Sequence, residues 1–152
     1  MRMKKWLLRI AKVLAFLVCL IAVMQLVPYG RSHTNPPVVG EPKWDSPRTR
    51  ELAQRACFDC HSNETKWPWY SHVAPLSWVV QRDVDIGRTV INFSEWPVRD
   101  YEIAHEAGTS VIRGDMPLLK YRWLHPEARL TDDELVELAR GLSATFGVRS
   151  KI

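Results

Sequence analysis

The sequence predicts an all-α protein: about four helices forming one small globular domain, behind a single N-terminal transmembrane helix. Three observations predict it. An uncharged apolar run of 15 residues, Val13–Val27, lies near the amino end. Four later segments space their apolar side chains mostly three and four residues apart, and no segment sustains the two-residue alternation of a strand.

The chain has 152 residues, 46% of them hydrophobic, which is the size and make-up of one ordinary globular domain. Its net charge of +4 is unevenly placed. Arg2, Lys4, Lys5, Arg9 and Lys12 precede the first acid, Glu41, and from position 31 onward 16 basic residues face 17 acidic ones. The basic excess belongs to the amino end, so nucleic acid is not an expected partner.

Trp6–Ile10 lengthens the apolar run when Arg9 and Lys12 snorkel toward the headgroups. A cleaved signal peptide has the same basic and apolar regions. However, "AVMQLVPYG" offers bulky residues where a signal peptidase needs small ones, so residues 1–29 read as an uncleaved signal anchor. Cys19 follows Val18 rather than the small residue of a lipoprotein site, and reads as a small apolar residue in the span. Positive-inside logic keeps the amino end in the cytoplasm and exports everything after Tyr29. Residues 30–47, "GRSHTNPPVVGEPKWDSP", then read as an extended linker that includes His33.

Residues 48–152 form the expected exported domain. Pro47 suits a first helical turn, and Leu52, Ala53 and Ala56 share a face of the helix that follows, which delivers Cys57 at its end. Leu76, Val79, Val80, Val84 and Ile86 predict a second helix after Pro75. Residues 100–113 predict a third through Ile103, Ala104, Ala107, Val111 and Ile112. The last helix has a capping box, Thr131 with Glu134, then Leu135, Leu138, Ala139, Leu142 and Phe146, and stops at Gly147.

The chemistry concentrates in "RACFDCHSNETKWPWYSHVAPLSW", residues 55–78. A thioredoxin-like dithiol needs a βαβ setting, whereas here a helix precedes the pair. A zinc site needs a fourth ligand that is absent nearby. What remains is C-x-x-C-H, the pattern of covalent c-type haem attachment, with a disulfide as the alternative in an exported protein. One helical turn between the sulfurs suits the two vinyl groups on a porphyrin edge, so Cys57 and Cys60 read as thioether positions and His61 as the proximal iron ligand. Met116, 55 residues past His61 in the loop "RGDMPLLKY", is the candidate for the other axial position. A core methionine filling a gap is the bland alternative.

His105 beside Glu106 reads as a surface histidine, and His72 lies only eleven residues past His61. His125 is the reserve sixth ligand. Trp67, Trp69, Tyr70 and Trp78 are expected to wall the proximal side of a haem, with Trp96, Tyr121 and Trp123 elsewhere in the shell. Glu64 and Lys66 read as solvated loop charges.

"CFDCHSNETKWPWYSHVAPLSW", "NFSEW", "GDMPLLKY" and "LHPEARLTDDE" resemble, in order, the successive blocks of the small bacterial haem-binding domain family, cytochrome c-like and built around one C-x-x-C-H. The likeness covers residues 45–146. It implies Cys57, Cys60 and His61 as the attachment site of one haem c and Met116 as the distal ligand. The family is also known joined to peroxidase-type cytochrome modules, but this chain has no second C-x-x-C-H. The expectation is a monohaem c-type cytochrome in the bacterial cytoplasmic membrane, single-pass, with its haem domain on the periplasmic side and redox proteins as partners. It would be an electron carrier rather than a catalyst, the alternative being a haem enzyme or redox or gas sensor with an open sixth site.

Overall fold

A computed structural model of the chain describes residues 2–99 and 101–147. Seven α-helices and four short 3₁₀ turns make up its regular structure, and no strand is present among the described residues. The chain packs as two units, Met1–His33 with Trp67–Arg82, and Thr34–Lys66 with Asp83–Ile152.

The first unit begins with α1, Arg2–Met24. From Met3 to Met24 its mean hydropathy of 2.5 and its length suffice to cross a membrane, and none of its apolar window is buried by protein. Beyond α1, His33 adopts a left-handed φ of 44° and its Nε2 donates to the Ser71 carbonyl at 2.9 Å. Its ring lies 4.7 Å from Trp67 and 4.3 Å from His72, so this residue of the expected linker is held by aromatic contacts. The unit closes with the first half of α4, Leu76–Val90.

In the second unit, α2 (Pro47–Ala56) starts where the Ser46 hydroxyl accepts from Thr49 N, with Pro47 in the first turn. It buries Leu52, Ala53 and Ala56. Cys57 leaves helical geometry as its cap, and a single turn, α3 (Phe58–His61), follows at once. The helix expected over 100–113 is shorter, and Asp100 lies outside the described residues. Ala104–Glu106 forms a 3₁₀ turn, and α5 covers only Ala107–Ile112. Tyr101 is buried with its ring stacked 5.6 Å from Trp96, which takes the chain off a helical path. A further short helix, α6 (Leu119–Leu124), precedes α7 (Asp132–Phe146), whose Thr131–Glu134 capping box forms with bonds of 3.2 and 3.0 Å.

Helices α5 and α2 both pack on α7. The core joins Leu52, Ala53 and Phe58 to Ile91, Phe93, Val111, Leu138 and Leu142, with Trp44, Trp96 and Phe146 packed around it. Residues 37–40 are extended and pinned: Val39 N and Gly40 N both donate to the Ser94 carbonyl, and Asn63 Nδ2 donates to the Pro37 carbonyl.

Candidate functional site

The cysteine–histidine turn owes its shape to a dense set of local hydrogen bonds. Ser62 Oγ donates back to the Phe58 carbonyl at 2.8 Å, and Thr65 Oγ1 donates to the Asp59 carbonyl at 2.7 Å. The chain beyond α4 turns onto this loop. Phe93 N donates to the His61 carbonyl, Asn92 Nδ2 to Asn63 Oδ1 and Asn63 N to Ser94 Oγ. Asn63, Asn92 and Ser94 are all buried, so each bond replaces hydration that the fold has removed. This also explains why α4 stops at Val90 rather than running on.

His61 Nδ1 lies 3.1 Å from each of two carbonyl oxygens, Gly87 and Ile91. Both groups only accept, so the ring proton sits on Nδ1 and Nε2 keeps a bare lone pair. Burial, opposed by those two carbonyls, pushes the imidazole pKa below its ordinary value and keeps it neutral. A neutral imidazole with its proton fixed at the far nitrogen is the form that binds a metal.

Burial also pushes both thiols up to about 12, with the neighbouring Cys60 adding to the effect at Cys57 and Asp83 and Asp59 adding to it at Cys60. A catalytic dithiol needs a lowered thiol pKa, and this pair has the opposite. The two cysteines are unbridged. Among the described residues no three His, Cys, Asp or Glu side chains converge to hold an ion, so Cys57, Cys60 and His61 do not make a zinc-type clip.

These residues border an apolar cavity of about 300 Å³, shared by Cys57, Cys60, His61, Ile86, Val90, Met116 and Leu118. A second lobe of about 120 Å³ again includes Cys57, His61, Val90 and Met116, and reaches Phe93, Val111 and Leu142. Met116 is brought there by the turn that ends α5, where Asp115 N and Met116 N both donate to the Ser110 carbonyl. The fold thus gathers all four predicted site residues on one lining. His105 and His125 are not on it: His105 lies 3.8 Å from Glu106, and His125 is buried with its ring stacked 4.0 Å from Tyr121.

The expected aromatic wall differs. Phe93 and Tyr121 are the aromatic members of the lining, whereas Trp67, Trp69, Tyr70 and Trp78 belong to the other unit. Several residues gain their importance only in the fold. Tyr121 Oη donates to Asp59 Oδ2 at 2.7 Å, tying α6 to the turn between the cysteines, and Lys120 pairs with Asp83 at 2.7 Å at the cavity's polar side. A Cβ on Gly87 would collide with the backbone of Cys60. A glycine inside an apolar helical pattern was the one sequence signal of that close approach.

Two thiols on one turn, an imidazole with a free Nε2, a thioether and apolar walls are a donor set that fits a covalently held haem. The sequence profile of the haem-binding domain matches residues 19–144. The chain belongs to this family. The match takes in the whole lining of the haem-binding domain's cavity and begins inside α1. Haem is the cofactor that this membership supports. Neither the curated proteins nor the solved structures contain a match to the chain.

Proposed function

We propose that this haem-binding domain is a membrane-anchored monohaem c-type cytochrome that passes single electrons on the periplasmic face of a bacterial cytoplasmic membrane. In this reading residues 1–29 are the anchor, 30–47 the connection and 48–152 the haem-carrying part. The observation that carries it is the shared lining of Cys57, Cys60, His61 and Met116. Cys57 and Cys60 would hold one haem through thioethers, His61 would ligate its iron through Nε2 and Met116 would supply the second protein ligand.

Haem supplies the one-electron couple when bound. The chain's own part is to hold, orient and shield it. The Gly87 and Ile91 carbonyls keep the His61 proton at Nδ1 and fix the ring. Ile86, Val90 and Leu118 supply apolar surface that would cover a bound haem, and a Met116 thioether ligand would favour the reduced metal, which suits a carrier serving redox proteins. The basic start of α1, against its uncharged later half, supports a cytoplasmic amino end.

Expression of the full chain with and without the c-type maturation machinery, followed by a haem stain on a denaturing gel, tests attachment. Stain is expected only with the machinery and only with both cysteines present; its absence there overturns covalent attachment. A weak ferric band near ~695 nm is the expected mark of methionine ligation. A high-spin spectrum with rapid carbon monoxide binding by the reduced protein would instead mark an open sixth site, as in a haem enzyme or gas sensor.

A further inference from the structure

The chain leaves α1 through Gln25, whose side-chain amide pairs with both backbone groups of Ala74. Its Nε2 donates to the Ala74 carbonyl at 3.0 Å and Ala74 N donates to its Oε1 at 3.0 Å. Gly30 then meets the same segment, where a Cβ would lie 2.6 Å from the Ser77 carbonyl oxygen and where φ is +78°. With the bond from His33 to Ser71, residues 25–33 fasten the 69–79 segment at three points.

The segment so fastened is inverted relative to a soluble surface. Its small residues Ser71, Ala74 and Ser77 are buried, while Trp69 is 79% exposed, Leu76 49%, Val79 44% and Val73 42%. Its charge is equally one-sided. Met1–His33 and Trp67–Arg82 contain no Asp or Glu, so all 17 acidic residues of the chain lie in the other unit.

Position says what covers this face. The 23 residues of α1 extend about 34 Å, slightly more than the ~30 Å of bilayer hydrocarbon. A helix that spans with its basic start on one side brings Gln25 to the headgroup boundary on the other. Ala74, one side chain away from it, lies at that boundary too.

We infer that Trp69–Val79 is a second membrane contact, an interfacial ledge whose exposed Trp69, Val73, Leu76 and Val79 enter the headgroup–acyl boundary of the bilayer that α1 spans. The inference rests on α1 being a retained anchor. Tryptophan and aliphatic side chains at the interface and the lack of acidic residues facing phospholipid headgroups are what that environment selects. Two contacts in place of one also limit how this unit swivels about the span.

The test uses the full chain in vesicles of equal parts phosphatidylcholine and phosphatidylglycerol, with or without bromine on the acyl chains, which quenches nearby tryptophan. Trp6→Phe reports on α1 and Trp69→Phe on the ledge. Both substitutions are expected to lower the bromine-quenchable share of the emission. If only Trp6→Phe lowers it, the ledge is in water or against a protein partner and the inference falls while the anchor stands. If Trp6→Phe leaves it unchanged, the anchor reading fails and takes the ledge with it. Leu76→Trp is the gain-of-signal arm should Trp69→Phe fold poorly: added emission that bromine quenches supports the ledge, and added emission that it does not quench overturns it.

Discussion

His61 shows how much chemistry a single side chain takes from its backbone surroundings. Two carbonyl oxygens at 3.1 Å fix its tautomer, and nothing in "CFDCH" names either of them. Gly87, which supplies one of them, is also where α4 passes against Cys60. Gly87→Ala is expected to destabilise the protein by about 1–3 kcal/mol, the usual cost of overpacking, and to lower the yield of haem-loaded chain. Urea unfolding together with the haem absorbance per chain measures both, and a variant equal to wild type in each would show that α4 is free to shift. Met116→Ala is expected to abolish the ~695 nm band and leave the haem attached, because the thioether ligand and the thioether bonds are separate features. If Met116 merely fills the core, the spectrum stays as it was and only the melting temperature falls.

Arginines of α2 pair with two carboxylates of α7, Glu137 at 3.2 Å from Arg48 and, more centrally, Glu134. Glu134 closes the capping box and accepts from Arg55 at 2.6 Å and from Arg48 at 3.1 Å. Arg55 first, then the Thr131 backbone, hold its pKa at about 2, from an ordinary 4.5. A depressed carboxyl pKa means that the stability it contributes is complete above about 4.5 and is lost as pH falls toward 2. Acid unfolding followed by circular dichroism is expected to be less steep in that window for Glu134→Gln; an identical profile would remove Glu134 as the acid-sensitive joint. The cap itself was legible from Thr131 and Glu134, because both partners lie within one turn. The two arginines were not, since they are about eighty residues away along the chain. Helix α5 makes the complementary point, for its apolar spacing ran on to residues that the fold spends on burying Tyr101.

The second unit, Thr34–Lys66 with Asp83–Ile152, holds an apolar cavity beside its core. Burial of a bound group there stabilises the native state through linkage, so haem-loaded protein is expected to melt well above haem-free protein made without the maturation machinery. Thermal unfolding of the two preparations checks it, and equal midpoints would mean that the cavity closes on itself when no haem is supplied. Charge is divided between the units: the one holding α1 has none of the acidic residues, which is what the proposed lipid contact requires.

Sequence alone determined the helical class, the Pro47 start of α2, the caps of α7, the apolar helix at the amino end and the spacing of Cys57, Cys60 and His61. These are written in contiguous residues, where periodicity, capping and covalent spacing act over a turn or two. Only the tertiary structure decided that Met116 shares a lining with His61, that Asn92 and Ser94 brace the cysteine turn, and that Ala74 is bound at the exit of α1. Each of those joins residues tens of positions apart, several through backbone atoms common to every residue, so no local pattern of side chains records them.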